Sequence, residues 1–214
     1  MAGAKIERVA GRACVIRGND IDTDRIIPAR FLRCVTFDGL GEHAFEDDRA
    51  QAKEGHPLDD ERFAGARVLV VGQNFGSGSS REHAPQALLG RGFQAFVGAS
   101  FAEIFFGNCT ALGLPCVTLN ESDLGDLMAA VELDPSQEVV VDLVAGTVSC
   151  RAGSVPANLP KAARQQLLGG NWDATSVLLE AGSAIESTAS QLPYMSRFGD
   201  QKTGFGDQKT GFGA

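Results

Sequence analysis

Residues whose side chains can do chemistry are concentrated in one polar stretch, residues 72–85, which reads Gly-Gln-Asn-Phe-Gly-Ser-Gly-Ser-Ser-Arg-Glu-His-Ala-Pro. Within it Ser79, Ser80 and Arg81 are consecutive and are followed by an acidic residue and a histidine. An arginine guanidinium can bind a carboxylate through two parallel hydrogen bonds, whatever the net charge of the protein. The stretch therefore predicts a site for an anionic ligand.

The neighbouring segments predict how this stretch is held. The apolar run at residues 68–71 is typical of a buried strand, and residues 86–89 are typical of the start of a helix. A helix N-terminus favours anions, because its first N–H groups lack partners and its dipole end is positive. Ser79 and Glu82 also have the spacing of a capping box. The alternative interpretation is a glycine-rich turn with an ordinary helix cap.

Other motifs that place glycines or serines in such a loop do not fit. A dinucleotide-binding loop would have a third glycine where Arg81 stands. A Walker A loop would need a lysine, and the stretch contains none. A hydrolase nucleophile elbow would need the order G-x-S-x-G, which the stretch also lacks. These comparisons exclude the usual nucleotide-binding and serine-hydrolase interpretations.

The complete string from Asn74 to Ala84 resembles the signature of the small, or swivel, unit of the aconitase family. Residues 19–31 and 35–41 are similar to the N-terminal signature of that unit, and the resemblance covers roughly residues 6–182. It is greatest to the small subunits of the isopropylmalate dehydratases. The resemblance implies an α/β fold of the three-layer swivelling β/β/α type with a mixed sheet, like the fourth domain of aconitase.

The resemblance also implies roles for individual residues. Ser79 matches the serine that acts as base toward a carbon-bound proton. We expect Arg81 to be catalytic as well as substrate-binding, because its guanidinium can stabilise the serine alkoxide and also hold a substrate carboxylate. Ser80 is expected to bind the substrate. Asp24 matches an active-site aspartate that orients neighbouring groups. Three alternatives remain open at this stage, because Ser79 could serve only as a helix cap, Arg81 could be a surface cation and Asp24 could cap a turn.

The resemblance implies that loop 30–41, called the selectivity loop below, selects the side group of the substrate, and this loop contains two arginines. Arg30 and Arg33 flank Phe31-Leu32, and each could bind a substrate carboxylate or be solvated. The loop leaves open which hydroxy acid is preferred.

Composition limits the partners and the compartment. The 214-residue chain has a net charge of −8 and no basic run, which argues against nucleic acid as a partner. No apolar segment is long enough to span a membrane. The first residues lack the apolar core of a signal peptide, and the five cysteines are scattered without a C-x-x-C pair. We therefore expect reduced thiols and a cytoplasmic protein.

The chain offers no obvious metal site. None of its three histidines is spaced with cysteine as a metal site requires. Removing hydroxide from an unactivated hydroxy acid needs a Lewis acid, and an iron–sulfur cluster needs several neighbouring thiolates. We therefore expect no cofactor in this chain. The resemblance implies a [4Fe–4S] cluster on a separate large subunit, so that this chain is half of an enzyme.

The expected reaction is the interconversion of 2- and 3-isopropylmalate, small dicarboxylate hydroxy acids, in leucine biosynthesis. Two alternatives remain: a related hydro-lyase of the homoaconitase, methylcitrate or citramalate/citraconate type, and a non-catalytic anion-binding module. The intact Ser79-Ser80-Arg81 string argues against the binding module, which has little need of a potential base.

The order of elements predicts one domain and a tail. Strand-like and helix-like segments alternate in the middle of the chain, and a hairpin through residues 145–146 follows, which favours an α/β fold. We expect the domain to cover residues 1–192. Residues 193–214 contain a tandem repeat, Phe198-Gly-Asp-Gln-Lys-Thr-Gly204 and its copy at 205–211, and are expected to form a flexible tail.

Overall fold

The structure is a computed structural model that describes residues 3–79 and 81–196. It contains two compact units, of which one spans residues 2–174 and the other begins at Thr175. Ser80 and the repeated heptapeptide lie outside the described residues. The predicted domain boundary after residue 192 and the flexibility of the tail therefore stay predictions.

The first unit is built on a single mixed sheet. Within the described residues seven strands are arranged in the order β4-β3-β2-β1-β5-β6-β7. Strands β1 to β4 pair in parallel, whereas β5, β6 and β7 extend the sheet antiparallel from the other edge of β1. The strands are β1 Arg8–Ile16, β2 Val68–Val71, β3 Ala95–Gly98, β4 Cys116–Thr118, β5 Glu138–Asp142, β6 Thr147–Cys150 and β7 Gly153–Pro156. The predicted α/β class with a mixed sheet is confirmed.

Helices follow most of the parallel strands and complete both units. They are α1 Thr23–Ile26, α2 Glu46–Gln51, α3 His83–Gly90, α4 Glu103–Ala111, α5 Glu121–Leu133, α6 Lys161–Gly169, α7 Ala174–Glu180, α8 Gly182–Gln191 and α9 Pro193–Ser196. Among the described helices, none has the length and hydropathy of a membrane-spanning segment. The second unit contains α8, α9 and all of α7 except its first residue, and neither α7 nor α8 contains a buried residue.

The sequence pattern missed strand β7, Gly153–Pro156. It is an edge strand with one partner, β6, and its residues are exposed or half-buried. Its short, glycine- and proline-containing sequence lacks the run of apolar residues that marks a buried strand. Pairing with β6 therefore decides its conformation.

The core explains why the segment before the polar stretch is so apolar. All four residues of β2 are fully buried, because β1 and β3 flank the strand in the sheet and both of its faces are covered. Ile16 lies opposite Val71, and Val70 lies opposite Val97. The carboxyl ends of β1, β2 and β3 are therefore side by side, and the loops that leave them start from one edge of the sheet.

The five cysteines are free thiols in very different surroundings. Burial raises the pKa of Cys14 to about 12, and burial followed by a hydrogen bond with Cys116 raises the pKa of Cys109 well above its ordinary value. Cys34 is exposed. Since the thiolate is the reactive form, we expect iodoacetamide near pH ~8 to alkylate Cys14 at least ~100-fold more slowly than Cys34.

Peptide mass spectrometry over a time course measures these rates. The urea-unfolded chain is the control, because there both thiols should react alike. Equal rates for Cys14 and Cys34 in the folded protein would contradict the buried position of Cys14.

Candidate active site

Three loops meet at the carboxyl edge of the parallel strands. They are residues 17–22 after β1, residues 72–82 after β2 and residues 99–102 after β3. Asp22 and Ser77 form a parallel bridge that joins the first two loops. Ligand sites of open α/β sheets lie at this edge, where loops from neighbouring strands converge. The polar stretch singled out by the sequence occupies the middle position.

The middle loop is bent by residues with positive φ. Asn74, Gly76 and Gly78 have φ values of 52°, 78° and 94°. A Cβ on Gly76 would lie 2.2 Å from Cγ of Phe105, so this buried side chain of α4 leaves room only for glycine. The main-chain N–H of Asn74 donates to Oγ of Ser100 at 2.8 Å, which ties the bend to the third loop.

Side chains of the first loop hold the start of the second. Oδ1 of Asn19 accepts a hydrogen bond from the Gln73 N–H at 2.9 Å, and Nδ2 of Asn74 donates to Oδ1 of Asp20 at 2.8 Å. The Asp20 N–H in turn donates to the Gln73 carbonyl at 2.9 Å. Sequence reasoning assigned no role to these contacts. Polar residues directly after a strand were the available signal, since Asn and Asp hydrogen-bond nearby backbone in turns.

The structure brings together two of the predicted site residues that are far apart in sequence. Nη1 of Arg81 donates to Oδ1 of Asp24 in an ion pair. The Arg81 side chain is 17% exposed, whereas that of Asp24 is 53% exposed. The other guanidinium donors of Arg81 have no partner among the described residues. Asp24 thus fixes the direction of the guanidinium and leaves donors available for a second carboxylate.

Ser79 is exposed, and its hydroxyl has no hydrogen-bond partner within residues 3–79 and 81–196. The predicted capping box is wrong, because α3 begins at His83 and its N-cap residue is Glu82. Glu82 makes no capping hydrogen bond, and its Oε1 accepts instead from Nε2 of Gln86 at 3.0 Å. Ser79 lies three residues before the N-cap, too early to cap the helix. Its neighbour Ser80 lies outside the described residues.

The two arginines of the selectivity loop differ in their surroundings. Arg30 donates to Asp47 at 3.0 and 2.7 Å and to Glu46 at 2.7 Å, and its guanidinium lies over the Phe31 ring. These bonds raise the pKa of Arg30 and lower the pKa of both carboxyls. Arg30 would have to leave these carboxylates to bind a substrate. Arg33 is exposed, and no ion pair to it is found in the described part of the chain.

The segment after Arg33 lies beside the start of α3. The Phe37 ring makes an edge-to-face contact with His83, the first residue of the helix, at 5.1 Å between centroids. Val35 is fully exposed. The segment therefore presents apolar side chains at the side of the site.

The cysteines do not fit an iron–sulfur cluster. All five are described, and among the described residues no three or more His, Cys, Asp or Glu side chains are grouped as metal ligands. Cys14, Cys109 and Cys116 are buried, and Cys34 is exposed in the selectivity loop. A cluster needs several thiolates at one point, so the thiols of this chain are not such a ligand set.

Comparison with known proteins gives consistent relatives. Residues 4–122 match the aconitase C-terminal domain. A 3-isopropylmalate dehydratase small subunit from Synechocystis is 50% identical over 192 residues, covering 90% of this chain and 96% of the relative. One from Thermus thermophilus is 50% identical over 196 residues, covering 90% of this chain and 98% of the relative.

Among solved structures, a 3-isopropylmalate dehydratase from Methanocaldococcus jannaschii has a similar fold. The TM-score is 0.59 at 28% identity, and the match covers 82% of this chain and 99% of that one.

Proposed function

Because this chain belongs to the family of 3-isopropylmalate dehydratase small subunits, within the aconitases, we propose that it is the small subunit of such a dehydratase. The enzyme is a hydro-lyase that interconverts 2-isopropylmalate and 3-isopropylmalate through a dehydrated intermediate in leucine biosynthesis. The chain acts only together with a large subunit. Its five free thiols agree with the reducing cytoplasm as its compartment.

The observation that carries the proposal is the arrangement of Ser79 and Arg81. The Ser79 hydroxyl, for which the described part of the chain offers no hydrogen-bond partner, lies two residues from a guanidinium that Asp24 holds by one donor. Dehydration of a hydroxy diacid needs a cation to hold a carboxylate and a base for the proton on the adjacent carbon. This chain offers both groups on one loop.

Each residue then has one task. Arg81 binds a substrate carboxylate through its remaining donors, and Asp24 keeps the guanidinium in that direction. The Ser79 oxyanion takes the carbon-bound proton during dehydration and returns a proton to the other carbon during rehydration. A Lewis acid on the large subunit would accept the leaving hydroxide and supply it again for rehydration. Serine is a weak base unless its alkoxide is stabilised, and the positive charge of Arg81 supports that form.

The site is open, which supports a partner. Ser79 is exposed, and the Asp24 side chain is 53% exposed. Proton transfer of this kind proceeds in a site from which water is excluded. We propose that the large subunit covers this edge of the sheet and carries the [4Fe–4S] cluster, since the thiols of this chain do not fit one.

The selectivity loop supports an apolar side group and also leaves one alternative. Val35 and Phe37 are exposed apolar residues on the segment beside α3, which suits an isopropyl group. Arg33 is also exposed there, and its guanidinium would suit the additional carboxylate of a homoaconitase substrate. The related hydro-lyase therefore remains the second candidate.

The isolated chain is expected to be colourless and inactive, because its thiols do not form a cluster site. Anaerobic expression alone, followed by iron analysis and an absorbance spectrum, tests this expectation. Stoichiometric iron with a sulfide-type absorption band would contradict the division of the enzyme between two chains.

Addition of the cluster-bearing large subunit under anaerobic conditions should produce turnover. Assays with 2-isopropylmalate, homocitrate, methylcitrate and citramalate identify the substrate. The proposal requires the highest kcat/KM with 2-isopropylmalate. A preference for homocitrate would favour the role of Arg33, and no turnover of any of these acids would favour a binding module.

A further inference from the structure

One buried side chain is directed at the proposed base from outside its loop. Thr23 is 2% exposed, and its Oγ1 donates a hydrogen bond to the main-chain carbonyl of Ser79 at 3.1 Å. A threonine at the start of a helix often bonds the backbone of that helix. Here Asp22 caps α1 instead, accepting from the Arg25 N–H at 2.8 Å. The Thr23 hydroxyl is therefore available to the neighbouring loop.

The main chain of the same residue makes a second contact with that loop. The Thr23 N–H donates to the carbonyl of Ser77 at 2.8 Å. As the first residue of α1, Thr23 has an N–H that no helical carbonyl can accept. The two bonds hold the carbonyls on both sides of Gly78, whose φ is 94°.

Gly78 is the point at which the loop needs this support. Glycine populates positive φ readily but is free to leave it, so a reactive residue that follows a glycine is poorly directed by its own backbone. A Cβ on Gly78 would lie 3.4 Å from Oγ1 of Thr23, which shows how close the two residues are. The next residue along α1, Asp24, holds Arg81.

We infer that Thr23 is a positioning residue for the proposed reaction: its buried hydroxyl holds the Ser79 carbonyl so that the Ser79 side chain points toward the substrate. Consecutive residues of α1 thus direct the base through Thr23 and the carboxylate-binding cation through Asp24. The consequence for turnover rests on the proposed function, whereas the consequence for the loop does not.

The test replaces the hydroxyl by a methyl group of the same shape. Thr23→Val removes the donor, and Thr23→Ser keeps it. Thr110→Val is the matched control, because Thr110 is 8% exposed and its hydroxyl donates to the Phe106 carbonyl within α4 at 3.0 Å. Both valine variants lose one buried hydroxyl bonded to a main-chain carbonyl, but only one of those carbonyls belongs to Ser79.

In the assembled enzyme, Thr23→Val should lower kcat by about 10–100-fold with KM changed less than ~3-fold, because misplacement of a reacting group affects the chemical step more than binding. Thr23→Ser should restore kcat, and Thr110→Val should leave it unchanged. Equal kcat for Thr23→Val and Thr110→Val would overturn the inference.

Hydrogen–deuterium exchange of the isolated chain provides a readout without substrate. The Gly76 and Ala84 amides, which donate to the carbonyls of Ile21 and Arg81 on either side of Ser79, should exchange at least ~10-fold faster in Thr23→Val than in the wild type, since a freed loop opens more often. Unchanged exchange would overturn the inference. Exchange could be faster in Thr23→Val while the wild-type complex turns over no hydroxy acid. That result would support the role of Thr23 in holding the loop and would reject the proposed function. Thr23→Ala replaces the valine variant in both assays if that variant does not fold.

Discussion

Replacing Ser79 by alanine is expected to lower kcat of the assembled enzyme by about 10²–10⁴-fold, the usual loss when a proton-transfer group is removed. The melting temperature of the small chain should barely change. A helix N-cap would contribute about 1 kcal/mol, but α3 begins at His83 and Ser79 does not cap it. The Ser79 hydroxyl also has no partner within the described residues, so its removal breaks no hydrogen bond that the structure gives.

The matched control for this variant is Ser77→Ala. Ser77 lies in the same loop, and the Thr23 bond involves only its main-chain carbonyl. Removal of the Ser77 hydroxyl should leave kcat within about 3-fold of the wild type, in the range of surface substitutions. Steady-state kinetics with 2-isopropylmalate and thermal unfolding of each chain give the comparison. A near-normal kcat for Ser79→Ala would remove Ser79 from the role of base.

Replacing Arg81 by lysine should raise KM and lower kcat/KM although the charge is kept. The expected loss is about 1.5–3 kcal/mol, the scale of a hydrogen bond to a charged group, or roughly 10–150-fold. The guanidinium can bond Asp24 through Nη1 and a substrate carboxylate through its other nitrogens. A lysine ammonium is a single point of charge and has to divide its donors between the two carboxylates.

Arg62→Lys is the control for this substitution. Arg62 also binds a carboxylate, because it donates to Asp60 at 3.0 and 2.6 Å. Arg62 precedes strand β2, whereas Arg81 follows that strand. The control should leave KM and kcat unchanged. Equal kinetic constants for wild type and Arg81→Lys would show that Arg81 does not bind the substrate.

The fold was predicted best where local sequence and burial agree. The run at residues 68–71 reads as a buried strand because each of its residues is apolar, and β2 occupies those residues. The hairpin of β5 and β6 was predicted around residues 145–146, where Gly146 has a φ of 69°. In such segments the side-chain pattern alone identifies the element, because every residue must meet the core or a turn.

Element boundaries were predicted less well where polar residues can serve more than one purpose. The S-x-x-E spacing of Ser79 and Glu82 is compatible with a capping box, but the spacing carries no information on where the helix begins. Contacts outside the helix decide that point: the loop carbonyls of Ser77 and Ser79 are bound by Thr23. Helix α3 therefore begins only after the loop residues that contact α1.

By itself the sequence determined which residues are available for the site, since the string around Ser79 and Arg81 carries the resemblance to the family. Tertiary structure decided which of them act together. Asp24 and Arg81 are 57 positions apart and meet only because β1 and β2 are parallel neighbours whose loops leave one edge of the sheet. Arg30 bonds Glu46 and Asp47, which lie 16 and 17 positions further along the same connection between β1 and β2. Such pairings depend on distances in space, which a one-dimensional spacing does not contain.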